Sequence, residues 1–239
     1  MISDRKTLSN FFENLILKKS GDLYAEQKDI GLAIVNYSQT VKYNPTDYRA
    51  FFKRAQMYEL RGDIRMAMDD YLTTTKLNPK IYEAWFKHGM YYYNNKNYHY
   101  AIVDFTELIK NNPNNQSHAR LYRGKCYLNL DDPQAALDDF SIALHLDPND
   151  WEAFYHRGCL LRKLYPRQAL QDLSVSLLIE SGDENINAYL HRGILYSDNE
   201  RYDEAIKDFQ SVLAISQEFA PAYVNLGIIY MNVTMNYWK

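Results

Sequence analysis

The sequence predicts an all-α protein in which helical hairpins repeat along the chain. Three observations support this fold class: certain residue types return about every 34 residues, apolar residues within each period have helical spacing, and polar or proline-containing breaks separate the helices. One such hairpin cannot bury its apolar face alone, so neighbouring hairpins are expected to share a continuous core and to form a single domain.

The clearest repeat unit is the segment 82–113. Trp85 and Gly89 lie four residues apart in its first half, and Ala101 and Phe105 do so in its second half, after an asparagine-rich break. Residues spaced by three or four positions share one face of a helix. The unit is therefore predicted to be two amphipathic helices of about fourteen residues joined by a short turn.

The same residue types recur before and after this unit. A small residue of the first helix recurs at Gly21, Ala55, Gly89, Gly124, Gly158, Gly193 and Gly227. An alanine of the second helix recurs at Ala33, Ala67, Ala101, Ala136, Ala169 and Ala205. Four residues later follow Tyr37, Tyr71, Phe105, Phe140, Leu173 and Phe209. Proline closes four repeats, at Pro45, Pro79, Pro113 and Pro148. Six of the nine glycines share one phase, which excludes a chance pattern.

This order of a large aromatic, a small residue, tyrosine, alanine, an aromatic and proline resembles the tetratricopeptide repeat (TPR) family. The resemblance covers about residues 14–239, as six full repeats and the first helix of a seventh, and it implies a right-handed α-solenoid. Residues 1–13 are expected to form an N-terminal extension or cap. The repeats are expected to start near residues 14, 48, 82, 117, 151, 186 and 220.

Particular positions predict where individual repeats begin, turn or bend. Repeat 1 is expected to begin after Asn10, a candidate N-cap with Glu13 three residues later. Pro133 and Pro166 are expected in the inner turns of repeats 4 and 5. The link 181–185 is longer than the others and lacks a closing proline, so any bend is expected there.

The last predicted helix starts at Pro221 and keeps an apolar face without a second helix to cover it. Terminal repeats normally present a polar outer side. The chain is therefore expected to be a fragment or isoform of a longer array, and to self-associate through Ile228, Ile229 and Tyr230.

Composition limits the classes of partner and the cellular compartment that the sequence predicts. The net charge of −3 and the pI near 6.1 argue against a protein that binds phosphate backbones, so no nucleic acid is expected. The N-terminal segment is charged where a signal peptide would be apolar, and no segment approaches eighteen apolar residues. These features predict a cytoplasmic protein without a membrane span, in which Cys126 and Cys159 are reduced.

A charged set recurs at fixed phases of the central repeats. The residue before the small residue is Arg54, His88, Arg123, Arg157 and Arg192. The residue before the second-helix aromatic position is Asp70, Asp104, Asp139, Asp172 and Asp208. Since the set recurs in every central repeat, it is interpreted as structural hydrogen bonding across each hairpin and not as a ligand site.

The resemblance implies that the first helices line a groove, with the positions three before and one after the repeated glycine facing it. The candidate partner-binding residues are Phe52, Phe86, Met90, Leu121, Tyr155, Leu190 and Ile194, with Lys53 and Lys87 beside them. Packing between adjacent first helices explains the apolar positions equally well, and one side chain can do both. The lysines form either a solvated ridge or a seat for an acidic segment.

No nucleophile, base and orienting group stand together, and no glycine-rich phosphate loop is present. His156 and Cys159 lie one helical turn apart, but two ligands are too few to indicate zinc. The sequence therefore predicts a non-catalytic interaction module, without a cofactor, that binds an acidic amphipathic peptide or helix of another protein. Two alternatives stay open: an accessory array in a longer protein that carries an enzyme or other domain, and a chaperone adaptor without the family's usual carboxylate clamp.

Overall fold

The computed structural model describes the backbone of residues 2–112 and 116–236 and the side chains of residues 12–112 and 116–233. Within these ranges the chain forms thirteen α-helices, a short 3-10 helix at Asp183–Asn185 and no strand. The helices are α1 (Ile2–Glu26), α2 (Ile30–Tyr43), α3 (Tyr48–Arg61), α4 (Ile64–Leu77), α5 (Tyr82–Asn94), α6 (Tyr98–Asn111), α7 (Ser117–Asn129), α8 (Pro133–Leu146), α9 (Trp151–Leu161), α10 (Pro166–Ile179), α11 (Ile186–Asp198), α12 (Tyr202–Ile215) and α13 (Ala220–Asn236). The all-α prediction is confirmed.

The helices belong to two compact units, Met1–Cys126 and Tyr127–Lys239. In the first unit, α1 packs on α2, α3 on α4 and α5 on α6, and each hairpin contacts the next. In the second unit, α8 packs on α9, which pairs with α10, and α11 pairs with α12 before α13. Each unit is thus a stack of helical hairpins.

Helix ends follow from local sequence. Asp29, Asp47, Asp132 and Asp150 each precede a helix and accept a hydrogen bond from a backbone N–H of its first turn, which satisfies a donor that has no partner inside the helix. At the other end, α2, α4 and α8 stop two residues before a proline, as predicted. Pro113 lies outside the described residues.

Two predicted boundaries are corrected. Helix α1 starts at Ile2, so Asn10 lies inside it and does not cap it; residues 2–9 contain neither glycine nor proline, and nothing there stops a helix. Pro133 and Pro166 occupy the first helical position and not the turn before it. Proline suits that position because its missing N–H would have no partner there.

The long link after α10 is ordered by one asparagine. Asn185 is buried, and its side-chain amide donates to Ser176 Oγ and to the backbone carbonyl of Glu180, both at 2.8 Å. The extra residues form the short 3-10 helix, which leads directly into α11. The link is thereby fastened to the end of the preceding helix.

The repeated small residue has the packing role that the sequence predicted. In four hairpins, a Cβ on the glycine would lie 2.8–3.0 Å from the side chain four residues after the repeated alanine. These pairs are Gly21–Tyr37, Gly89–Phe105, Gly158–Leu173 and Gly193–Phe209. Real Cβ atoms essentially never come within 3.0 Å of another atom, so a side chain at Gly21, Gly89 or Gly193 would displace the facing ring, and at Gly158 the contact would be very tight.

Candidate partner-binding surface

The recurring charged set pairs across the hairpins as predicted. Arg54 donates from Nε and Nη2 to both carboxylate oxygens of Asp70, at 2.7 and 2.8 Å. Arg157 with Asp172 and Arg192 with Asp208 form the same bidentate arrangement. The carboxylates are buried and the guanidinium groups are largely covered, so these pairs hold hairpins together and leave little charge for a ligand.

Electrostatics at the Arg54–Asp70 pair favour the charged arginine. Burial alone would lower the pKa of the Arg54 guanidinium, but the hydrogen bonds and the charge of Asp70 outweigh burial and raise it. Repeat 3 uses histidine in place of arginine, and His88 Nδ1 lies 2.8 Å from Asp104 Oδ2. All four pairs that lie within a single unit are therefore made.

The predicted groove residues of the first unit differ in burial. Phe52 and Phe86 are half-buried, and the ring of Phe86 lies 6.0 Å from that of Phe105 and 5.7 Å from that of Tyr122. Leu121 is only 3% exposed. Phe52 and Phe86 can therefore touch a partner while they pack on second-helix rings, whereas Leu121 belongs to the core.

An open pocket of about 270 Å³ lies beside Phe86, among α5, α6 and α7. Leu108 and Ala119 form its apolar floor, and Glu83 and His118 contribute polar groups. Pockets that hold a ligand side chain combine apolar walls with a few polar groups in this way. The pocket thus places the sequence-predicted Phe86 at a concave part of the surface.

The predicted lysines have different surroundings. Lys53 is exposed, but Lys87 Nζ donates to Glu59 Oε1 at 2.8 Å. The other oxygen of Glu59 accepts from the hydroxyl of Tyr71, also at 2.8 Å. A second pocket of about 400 Å³ surrounds this ion pair and includes Glu83. The basic ridge expected from the sequence is thus neutralised at Lys87, whereas Lys53 remains exposed to solvent.

Sequence reasoning missed an aromatic cluster near this ridge. Lys125 Nζ lies 4.7 Å from the ring centre of Tyr122 and 5.5 Å from that of Tyr93, and the two rings meet edge to face at 5.5 Å. Ammonium groups are attracted to aromatic faces at such distances. The signal in the sequence is the tyrosine run that ends α5, whose side chains diverge around the helix. Met90 lies one residue before that run and packs partly buried in the same cluster.

In the second unit, the candidate residues are mostly covered. Leu190 is 8% exposed and Ile194 is half-buried in the same core. Tyr155 is half-buried, and its ring lies 5.9 Å from that of His191. Burial raises the pKa of the Tyr155 hydroxyl, with Cys159 adding to the shift. Only parts of Tyr155 and Ile194 remain open to a partner.

His191 stands beside a cation. Its Nδ1 lies 3.4 Å from Arg162 Nη1, so the neutral ring with the proton on Nε2 accepts this hydrogen bond. Burial lowers the pKa of His191, and the positive charge of Arg162 lowers it further. This histidine is therefore held neutral near pH 7.

The pair His156 and Cys159 has no metal-binding geometry. The ring of His156 stacks on that of Phe140 at 5.4 Å, and burial raises the pKa of the Cys159 thiol to about 11. Among the residues that the structure describes, no three His, Cys, Asp or Glu side chains are grouped to hold a metal ion. Both cysteines are free thiols.

In the described part of the chain, no helix is long and apolar enough to cross a membrane. This observation concerns the helices alone.

Family models described as "Tetratricopeptide repeat" match residues 86–150 and 186–219. The chain is a tetratricopeptide repeat protein. Human tetratricopeptide repeat protein 6 is 26% identical to it over 100 residues, which are 41% of this TPR protein and 19% of the human protein. The match thus spans about a fifth of that relative's length.

Solved structures show the same TPR solenoid fold. YrrB, described as a TPR protein with an unusual peptide-binding site, aligns with a TM-score of 0.66 at 19% identity, over 78% of this chain and 95% of YrrB. MamA aligns at 0.60 and 23% identity, over 70% and 96% of the two chains. For pilF of Pseudomonas aeruginosa the TM-score is 0.69 at 16% identity, over 90% and 97%. Such low identities establish the fold of the TPR protein and nothing about its partner.

Proposed function

We propose that this TPR protein is a non-catalytic scaffold that binds a short peptide or helix of a partner protein on the first helices of its first unit. The pocket beside Phe86 is the observation that supports this most directly. A half-buried aromatic side chain next to an open apolar pocket is the usual form of an interaction hot spot. TPR proteins are generally scaffolds without catalytic activity, which supports the same view.

The proposed contact surface consists of the residues with open side-chain atoms. Phe52 and Phe86 offer ring faces, Met90 offers an adaptable thioether, and Lys53 offers an exposed positive charge. Leu121 is buried and contributes to the core beneath this surface and not to the contact itself. In the second unit we assign the same role to the half-buried Tyr155 and Ile194, while Leu190 packs in the core with Ile194.

The charges favour an amphipathic partner of mixed polarity. Lys53 suits a carboxylate of the partner, but Lys87 already pairs with Glu59, and Glu83 lies at the edge of both pockets. An apolar side chain in the Phe86 pocket, with one acidic residue toward Lys53, fits this distribution better than a strongly acidic segment. The peptide-binding site named for YrrB supports the general mode, since the two chains share a fold.

Capture of partners by the full chain, compared between wild type and Phe86→Ala, tests this function. Val103→Ala is the matched control because Val103 lies on α6, the second helix of the same repeat, and is 58% exposed. Partners that use the pocket should bind about tenfold or more weakly to Phe86→Ala, as buried aromatic anchors do, and equally to Val103→Ala. If every captured protein binds Phe86→Ala as well as wild type while helicity is unchanged, the first helices are not the interface.

A further inference from the structure

The inner turn of repeat 5 differs from the other inner turns. Each of the other five contains one residue with positive φ, between 59° and 89°. These residues are Lys28, Gly62, Lys96, Asp131 and Glu200. In repeat 5, residues 162–165 contain none, and Arg162 keeps a right-handed helical conformation.

The different backbone brings apolar side chains to the tip. The amides of Leu164 and Tyr165 both donate to the carbonyl of Leu161, at 3.2 and 2.7 Å, which tightens the end of α9. Leu164 is then 78% exposed and Tyr165 59% exposed. Single exposed apolar residues are ordinary, but two adjacent ones at a tip, rimmed by charge, indicate an interaction site.

A pocket adjoins Leu164 and Tyr165. An open pocket of about 250 Å³ lies between α10 and α11, lined by Pro166, Leu170, Leu195 and Tyr196 among others. The guanidinium of Arg201 forms part of its rim, 4.5 Å from the ring centre of Tyr196. The pocket is large enough for one apolar side chain of a partner.

The charge around the tip is locally positive. Lys163 and Arg167 flank the apolar pair, and neither has an ion-pair partner among the residues that the structure describes. Arg162 adds a third cation, whose Nη1 lies 3.4 Å from His191 Nδ1. A carboxylate that meets this group would face uncompensated positive charge.

The neighbouring inner turns of the same unit are acidic. Asp131 and Asp132 precede α8, Asp198 ends α11, and Glu200 follows α11. A broad anionic membrane surface would meet these carboxylates as well as the basic residues. A narrow basic strip with an adjoining apolar pocket instead suits a protein segment.

We propose that the repeat-5 tip, formed by Lys163, Leu164, Tyr165 and Arg167 with the adjoining α10–α11 pocket, is a second docking surface. Its occupant is a segment of a partner protein that carries one apolar or aromatic side chain within about three residues of an aspartate or glutamate. This surface shares no residue with the proposed surface around Phe86.

A displayed library of random twelve-residue peptides, selected on the immobilised full chain, tests the tip. Selected peptides should combine an apolar residue with a nearby carboxylate. They should bind Leu164→Ser about tenfold or more weakly by fluorescence polarisation. Lys163→Glu with Arg167→Glu should shift the selection toward lysine and arginine. Leu178→Ser is the matched control, because Leu178 is 85% exposed at the other end of α10.

The other outcomes separate this site from its alternatives. Peptides that lose affinity for Phe86→Ala but not for Leu164→Ser would support the first helices and refute the tip. Binding of phosphatidylserine vesicles that disappears in Leu164→Ser would assign the tip to a membrane and overturn the protein partner. Since Leu164 is exposed, its replacement should leave thermal unfolding unchanged, so lost binding would report on the surface and not on folding.

Discussion

Gly193 lies so close to Phe209 that a Cβ on the glycine would be 2.8 Å from the ring carbon Cε1. The same relationship holds in the hairpins that contain Gly21, Gly89 and Gly158. At Gly227, in α13, a Cβ would meet nothing within 4 Å. One repeated residue type therefore has two different packing situations in the same chain.

This contrast predicts opposite results for the same substitution. Gly193→Leu should lower the free energy of unfolding by about 1–3 kcal/mol or more, because the side chain would displace a buried ring. Gly158→Leu should do likewise, since a Cβ there would lie 3.0 Å from Leu173 and 3.3 Å from the carbonyl oxygen of Ala169. Urea unfolding followed by circular dichroism measures the loss.

Gly227→Leu is the internal control for that prediction. It should leave stability unchanged or raise it by up to about 1 kcal/mol, since leucine favours helix over glycine and nothing obstructs it. Equal losses at Gly193 and Gly227 would show that the contact with Phe209 does not explain the repeated glycine.

The cross-hairpin ion pairs give a second prediction. Arg157→Met removes both hydrogen bonds to Asp172 and leaves a buried carboxylate unpaired, so unfolding should become easier by about 1–3 kcal/mol. Arg157→Met with Asp172→Leu should recover most of this loss, because the unpaired charge is gone. Denaturant unfolding of the three proteins measures both steps.

Arg201→Met provides the matched control. Arg201 pairs with Glu204 on the surface, where both side chains are more than a third exposed. Solvent screens such exposed pairs, so this variant should differ little from wild type. A loss at Arg157 no larger than that at Arg201 would contradict the role assigned to the buried pairs.

The period of about 34 residues predicted the contacts that recur from one hairpin to the next. The phases of Gly193 and Phe209, and the pairing of Arg157 with Asp172, follow from spacing alone, because every hairpin brings the same positions together. Features that occur once were harder to predict. Asn185 fastens the long link by bonding to a neighbouring helix end, and no repeat of that pattern marks it in the sequence.

The candidate surface was predicted less completely than the fold. The position of a residue within the repeat shows on which side of its helix it lies. It does not show how much of the side chain the adjacent helix covers. Leu121 and Leu190 share the phase of Phe86 and are nevertheless buried. The pairing of Lys87 with Glu59 joins two repeats at residues outside the shared consensus positions, and only the three-dimensional packing shows it.

His191 predicts a pH dependence in the second unit. Its pKa is lowered by burial and by Arg162, so the folded state holds this ring neutral while the unfolded state protonates near the ordinary value of about 6.5. The corresponding stability is present above that value and is lost as pH falls through the lowered pKa. Arg162 and Tyr155 both lie beside this ring.

His191→Gln, which cannot be protonated, should therefore lose less stability than wild type between pH 7 and about pH 5. Thermal unfolding across this range measures the difference, and subtraction cancels the other histidines. His118→Gln is the control, since His118 is exposed. Parallel pH profiles for wild type and His191→Gln would mean that His191 titrates normally in the folded protein.

The last helix gives a prediction about association. The sequence suggested self-association through Ile228, Ile229 and Tyr230, but Ile229 is fully buried in the core with Phe209 and cannot contribute surface. The exposed apolar side chains nearby include Val224, 60% exposed, and Ile228, 43% exposed. We expect self-association through these two, since apolar surface of this extent on one helix face favours a second copy.

In sedimentation velocity, the weight-average sedimentation coefficient of wild type should therefore rise with concentration, and Val224→Asp with Ile228→Asp should remove the rise without changing the unfolding midpoint. Leu178→Asp, an equally apolar exposed site elsewhere, should keep it. Ile229→Ala should behave differently, because it creates a cavity beside Phe209 and costs about 2–5 kcal/mol of stability. A wild-type protein that stays monomeric at high concentration would show that the face of α13 does not bind its own copy.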